Sequence, residues 1–280
     1  MIDIRPVSSA VGAEIIGLDI SRPQSKGTWQ EVLEAFHRHS VLVFRKQNLT
    51  TEQQKKFAEK FGPVMIPPFK SITVAGHPEC LILHNDATTP AFADKWHTDS
   101  SGWLRPPLGT VLYACIVPKL GGDTLFSNMH LAYAQLSPPI RTLLDGLNAV
   151  HDDRKSYGLD FPKVRDYLRK RGIDPDSYLS STEPVLHPVV RTHPVTGRKA
   201  LYHSTAFVTH IEDLTQPESK AVLAFLDQHI QANEFIYRHQ WRKGDLVIWD
   251  NRSVQHYAVA DYFPEERLMH RLNIEGDRPV

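Results

Sequence analysis

The chain has 280 residues, 41% hydrophobic and 23% charged, enough for a sizeable core in one or two domains. Lys+Arg and Asp+Glu both number 32, so the formal net charge is zero and the basic excess of a nucleic-acid binder is missing. Two cysteines, no Cys-x-x-Cys, no basic-then-apolar leader and no run of about 18 apolar residues argue against a disulfide framework, a secretory signal or a membrane span. A cytoplasmic protein with buried thiols at Cys80 and Cys115 is the expectation.

Residues 12–20 read as an early strand. The segment 28–39 carries Trp29, Val32, Leu33 and Phe36 at helical spacing, and 40–45 reads as a buried strand. A Thr cap followed by Glu52 and Gln53, closing on Gly62, marks a helix over 49–62. The Pro-broken stretch after it is loop or edge, 80–86 is a strand, and 86–94 is an exposed, mobile connection. From residue 96 the pattern is β-dominated, with strands at 109–117 and 121–128. Helical pieces interrupt it over about 129–183. Strand character returns over 185–204 around a hairpin turn at "HPVTGR", followed by a helix at 215–231 and three closing strands. No repeat, low-complexity segment or linker is visible. One domain over 1–280 is expected, a sheet sandwich with an inserted helical lid.

The stretch "KWHTDSSGW" (95–103) places His97 and Asp99 two apart. On a strand they share a face, which suits two ligands to one metal, or two surface polar residues. A third ligand would complete a facial triad of the kind used in non-haem Fe(II) oxygen chemistry. His37 and His39 lie on or beside an amphipathic helix and are expected in solvent. His187 and His193 flank a hairpin and precede prolines, which suggests structural roles. His256, in "VIWDNRSVQHYA" after an apolar strand and a polar turn, sits where a rigid sheet could present a ligand. Alternation along "ERLMHRLNI" puts Arg267, Met269 and Arg271 on one face. Inward arginines need anions, from a ligand or from an internal salt bridge.

"WHTD", "GGDTLF", "HPVVRTHPVTGRKAL", "VIWDNRSVQHYA" and "RLMHR", in this order, resemble the taurine / α-ketoglutarate-dependent dioxygenase family from about Ile4 to about Pro279. The resemblance implies a mainly β fold with peripheral helices (α+β), the double-stranded β-helix or jelly roll. It implies Fe(II) held by His97, Asp99 and His256, with O2 and 2-oxoglutarate as cosubstrates. Thr124 and Arg267 would hold the distal carboxylate of 2-oxoglutarate, Arg271 would face the anionic group of the primary substrate, and Trp249 would pack near the iron. Tyr157 and Phe207 would be pocket walls. The tryptophans beside the motif would pack around the site without chemistry of their own. Lys70 stands in the loop where the taurine branch has its sulfonate-binding histidine, which suggests a substrate contact. The expected activity is hydroxylation of a small organic anion larger or more apolar than taurine. An aryloxyalkanoate, alkyl carboxylate, sulfonate or sulfate ester are all open, as is fragmentation of the product. Taurine dioxygenase proper, a Zn-dependent hydrolase using the same three ligands, and an idle jelly-roll binding protein remain alternatives. A homo-oligomer without nucleic-acid or membrane partners is expected.

Overall fold

The structure, a computed structural model, describes residues 2–280 apart from Phe69, Pro90, Phe92, Ala93 and 158–161; the side chains of Lys70, Tyr157, Lys163 and Val164 also lie outside the description. The chain starts with an antiparallel pair, β1 (Asp3–Pro6) and β2 (Ala13–Ile16). Helix α1 (Lys26–His39) begins where the Ser25 hydroxyl accepts from the Thr28 N–H and ends at Ser40, whose φ is 61°. After β3 (Val41–Phe44), α2 (Thr51–Ala58) opens with the reciprocal Thr50–Gln53 capping box. It stops short of Gly62 because the N–H groups of Lys60 and Phe61 turn back to the Phe57 and Ala58 carbonyls, tightening the last turn.

Next come β4 (Thr73–Val74), β5 (His77–Asn85), β6 (Gly109–Ile116) and β7 (Thr124–Asn128). The middle of the chain holds α3 (Met129–Ala134), α4 (Pro138–Leu144), β8 (Asn148–His151), α5 (Asp153–Tyr157), α6 (Pro162–Lys170) and α7 (Pro175–Ser180). It is therefore not purely helical, since β8 pairs with two later strands. These are β9 (Val185–Pro188) and, after the β10 (Val190–Thr192) and β11 (Lys199–Leu201) hairpin, β12 (Val208–Ile211). The hairpin is the one that "HPVTGR" predicts. Helix α8 (Gln216–His229) leads to β13 (Ile236–His239), β14 (Leu246–Asp250), β15 (Val254–Ala258) and β16 (Arg267–Ile274). Four strands close the chain rather than three, because the polar turn after β14 reverses it directly into β15.

The protein is thus mainly β with several helices. Eight strands form one sheet in the order β1-β2-β3-β14-β6-β16-β5-β4, and β13-β7-β15 form another. The central strands β3 and β14 are buried at every position, because both faces of the large sheet are covered. Leu42, Phe44, Val111, Tyr113, Leu246 and Ile248 pack with Phe36 of α1 and Phe57 of α2. The alternate residues Val41, Val43, Leu112, Val247, Trp249 and Met269 turn the other way, to Phe126, Tyr237 and Val254 of the smaller sheet. Phe126, with no exposed surface, fills this inter-sheet layer; truncating it to Ala would cost about 3–5 kcal/mol. A third cluster joins α3 and α8 to Ala149, Val190, Leu201 and Ile211. No helix among the described residues is long and apolar enough to cross a membrane. Against expectation, His37 and His39 are half-buried in the last turn of α1, and Cys115 is half-buried where Cys80 is fully buried.

Candidate active site

One cavity opens in the inter-sheet layer, and the inward face of the large sheet supplies Leu83, Asn85, Leu112, Trp249, Arg267 and Arg271 to its wall. From the smaller sheet come Thr124, His256 and Ala258, and from the segment before β6 come His97 and Asp99. The last two do not lie on a strand. His97 makes a single bridge to His256, with N–H···O distances of 3.0 and 2.9 Å in the two directions. The extended backbone ends after Asp99, where Ser100 turns with φ of 49°. His256 follows the apolar strand β14 and the polar turn as expected, and occupies the middle of a further strand, β15, opposite Phe126.

The three side chains converge. Asp99 Oδ1 stands 3.7 Å from His97 Nε2 and 3.6 Å from His256 Nε2, and the two imidazole centroids are 4.1 Å apart. Candidate ligand atoms of all three lie within 4.8 Å of one another. The His97 Nδ1 faces the Lys95 carbonyl at 2.7 Å; a carbonyl only accepts, so Nδ1 carries the proton and Nε2 offers its lone pair inward. Burial pushes the His256 imidazole down to about 3, with His97 adding to the effect, and burial also lowers His97. Both rings are therefore neutral donors at neutral pH. Burial alone would raise the Asp99 carboxyl, but Arg271, His256, His97 and the Thr110 hydroxyl outweigh it and hold it far below the carboxylate range. Two neutral imidazoles and one carboxylate, all nearly buried, are a donor set that fits a divalent transition metal with open positions.

Beside this cluster lies a buried cation. Arg267 is 6% exposed, makes no ion pair with a described carboxylate, and has an Nε without a hydrogen-bond partner. Its guanidinium carbon sits 5.8 Å from the Trp241 ring centroid and 6.0 Å from that of Tyr262. Trp241 Nε1 also donates to Thr124 Oγ1 at 2.9 Å. An indole N–H can only donate, so the Thr124 proton stays free to point into the cavity. Arg271 differs: its guanidinium meets Asp99 Oδ1 at 2.8 Å and its Nε donates to Asn273 Oδ1 at 3.1 Å. It has the internal partner that Arg267 lacks.

Of the residues singled out in the sequence, His97, Asp99, His256, Thr124, Arg267, Arg271 and Trp249 share this one cavity. Trp249 packs its ring 4.8 Å from that of His256. Phe207 is buried in the turn before β12, its carbonyl accepting from the Asp152 N–H, and is not among the described cavity-lining residues. The side chains of Lys70 and Tyr157 lie outside the described residues. Among the described residues, Tyr167 and Tyr262 join Trp249 in lining the cavity. Tyr262 donates to Asn85 Oδ1 at 3.1 Å, closing the wall between β5 and the loop before β16. The apolar spacing of Tyr167 and Leu168 within the cationic "VRDYLRK" was the available signal for the first. Of the flanking tryptophans, Trp96 packs on Tyr257, while Trp103 also donates to Asp153 Oδ2 and the Tyr178 hydroxyl, both at 3.1 Å.

A mainly β chain with two histidines and an aspartate around one point, next to a buried arginine that no described carboxylate pairs, is a build that fits a metal and an anionic ligand. Residues 3–273 match the taurine catabolism dioxygenase TauD, TfdA family. Over 283 residues the chain is 34% identical to the alpha-ketoglutarate-dependent sulfate ester dioxygenase of Pseudomonas putida, covering 100% of this chain and 91% of that protein. Over 295 residues it is 32% identical to the alpha-ketoglutarate-dependent 2,4-dichlorophenoxyacetate dioxygenase of Cupriavidus pinatubonensis, covering 98% of each. The crystal structure of a taurine dioxygenase from Burkholderia xenovorans superposes with a TM-score of 0.84 at 33% identity, covering 100% of this chain and 92% of that one. The chain belongs to the TauD/TfdA family and is an oxidoreductase of the dioxygenase class.

Proposed function

We propose that this protein is an Fe(II)- and 2-oxoglutarate-dependent dioxygenase that hydroxylates a small organic anion. The observation that carries the reading is the placement of Arg267 and Thr124, a buried cation without a carboxylate and a hydroxyl with a free proton, in the same cavity as the His97–Asp99–His256 cluster. On this reading the facing sheets are the double-stranded β-helix, and residues 1–280 are one domain. His97 Nε2, Asp99 Oδ1 and His256 Nε2 hold Fe(II). When bound, the iron couples oxidative decarboxylation of 2-oxoglutarate by O2 to hydroxylation of the substrate, yielding succinate and CO2. Arg267 offers its fork to the far carboxylate, and Thr124 adds its hydroxyl. The aromatic rings of Trp241 and Tyr262 exclude water from that contact, which strengthens it.

Arg271, shared between Asp99 and the cavity, faces the substrate anion, with Lys70 assisting from its loop. Sulfate esters and aryloxyalkanoates are acted on by relatives of this chain, so both classes belong in the first substrate panel, with taurine as the competing case. A Zn-dependent hydrolase would need a general base, and Asp99 is the one carboxylate among the described lining residues. The test is anaerobic addition of Fe(II) and 2-oxoglutarate, followed by the panel scored as succinate released. A weak visible charge-transfer band that needs both components, and succinate release stimulated by an organic anion, are expected. Absence of the band with 2-oxoglutarate bound nowhere would overturn the proposal.

A further inference from the structure

The inward face of the large sheet carries one polar row whose central member, Thr110, no sequence motif marks. Trp249 of β14 is paired with Thr110 of β6, and Thr110 with Asn273 of β16, so the three stand on one rung across neighbouring strands. Thr110 is completely buried, Asn251 is 1% exposed and Trp249 2%. Trp249 Nε1 donates to Asn251 Oδ1 at 2.9 Å, and Asn251 Nδ2 donates to Thr110 Oγ1 at 3.0 Å. An indole N–H cannot accept, so the orientation of the Asn251 amide is fixed and its NH2 must face the threonine. The Thr110 hydroxyl then has one proton and two acceptors in reach, Asp99 Oδ2 at 2.6 Å and Asn273 Oδ1 at 3.1 Å. The shorter, charge-assisted contact takes it, and Asn273 Oδ1 is served by Arg271 Nε instead.

We infer that Thr110 is a positioning residue that makes Asp99 a one-oxygen ligand. Its hydroxyl, ordered by Asn251 and Trp249, holds Oδ2 back against β6 and leaves Oδ1 alone facing the two histidines. A carboxylate free to rotate could present both oxygens and fill a position that cosubstrate or substrate needs. A fully satisfied buried network resists that rotation, whereas an isosteric loss of the hydroxyl permits it.

The inference rests on the metal reading above, and its test separates the two. Co(II) is titrated into metal-free wild type, Thr110→Val, Thr110→Ser, Trp249→Phe and His256→Ala, by calorimetry and by visible absorption, without O2 or cosubstrate. Thr110→Val is expected to weaken Co(II) binding roughly 10–100-fold and to change the d–d band, and Thr110→Ser to restore both. Trp249→Phe, which unties Asn251, gives a smaller loss in the same direction and decides the matter if Thr110→Val does not fold. Wild-type affinity and spectrum in Thr110→Val, or a Thr110→Ser protein that behaves as Thr110→Val, overturns the role of Thr110 alone. Failure of the wild type to bind Co(II), or undiminished binding by His256→Ala, overturns the metal reading and this inference with it.

Discussion

Arg267 offers the sharpest quantitative test of the proposed cosubstrate site. A buried guanidinium without a carboxylate is costly, and the two aromatic rings near it offset only part of that cost. Binding a carboxylate there gains a charge-assisted contact of about 1.5–3 kcal/mol, so Arg267→Ala should weaken 2-oxoglutarate by roughly one to two decades. Arg267→Lys should recover only part, because a point charge replaces a planar fork. The same logic gives the opposite sign for stability. Without cosubstrate, Arg267→Met removes a buried charge that Asp123 and the Tyr262 hydroxyl offset less than burial costs it, and should melt higher, by about 2 °C for each 1 kcal/mol gained. Calorimetric titration of 2-oxoglutarate into Mn(II)-loaded protein, with thermal melts of the free variants, reads both effects. An unchanged 2-oxoglutarate affinity in Arg267→Ala would refute the assignment. A lower melting temperature in Arg267→Met would show that Asp123 and Tyr262 already repay the burial of the cation.

Replacing His97, Asp99 or His256 by Ala should each abolish succinate formation while the far-ultraviolet circular dichroism stays that of the wild type; full activity in His256→Ala would send the search to another histidine. Burial lowers His130 and His187 to about 4 and His256 to about 3, so between those values and the ordinary 6.5 the unfolded chain binds more protons than the folded one. Stability of the metal-free protein should therefore rise with pH across that window and fall steadily on acidification from pH 7 to 4; denaturant titrations showing a flat profile would contradict the burial of these rings. Gly102 approaches Asp153 so closely that an added Cβ would lie 2.1 Å from its Oδ1, and Asp153 is itself held by Trp103 and Tyr178. Gly102→Ala should thus destabilise by about 1–3 kcal/mol and weaken Co(II) binding by moving the turn after Asp99; a neutral result in both would show that this turn can shift freely.

The ligand cluster was legible because its signals are local or typed. Histidine and aspartate two apart, a histidine behind an apolar strand and two arginines at even spacing need no knowledge of pairing. The hairpin at 193–198 and the capped helices were legible for the same reason, since a turn or a cap is decided within a few residues. The residues that orient the cluster were not. Thr110, Asn251 and Asn273 are ordinary polar residues in a sequence, and they become neighbours only through the register of β14, β6 and β16. Their contacts span 11, 141 and 163 positions of the chain. Phe207 stands apart: an aromatic in a suggestive segment, it is buried in the turn before β12, where its carbonyl accepts from the Asp152 N–H, while Tyr167 and Tyr262 are among the described residues of the wall. The strand expected at 97–99 shrank to a single bridge, because a left-handed Ser100 cannot continue an extended chain.

The charges that face the cavity bear on which substrates it can take. Among the described lining residues these are Asp99, Arg267 and Arg271, with both histidines neutral, so the protein supplies one more positive charge than negative. On the proposed reading a divalent cation and a dianionic cosubstrate cancel one another and leave that single positive charge in place. Arg267 is then matched by the cosubstrate carboxylate. Asp99 must divide its Oδ1 between the cation and Arg271, and each weakens the other's hold on it. The residual charge therefore localises on Arg271. A half-buried cation whose one carboxylate partner is shared favours an anion over a neutral molecule of the same shape, because the neutral molecule leaves part of the desolvation of the guanidinium unrepaid. A monoanion restores neutrality, whereas a dianion would exceed it. On that reading sulfate monoesters, sulfonates and monocarboxylates satisfy the balance equally, so charge would select the class, and choice within it would fall to apolar and aromatic wall residues such as Leu83, Leu112, Tyr167, Val259 and Tyr262.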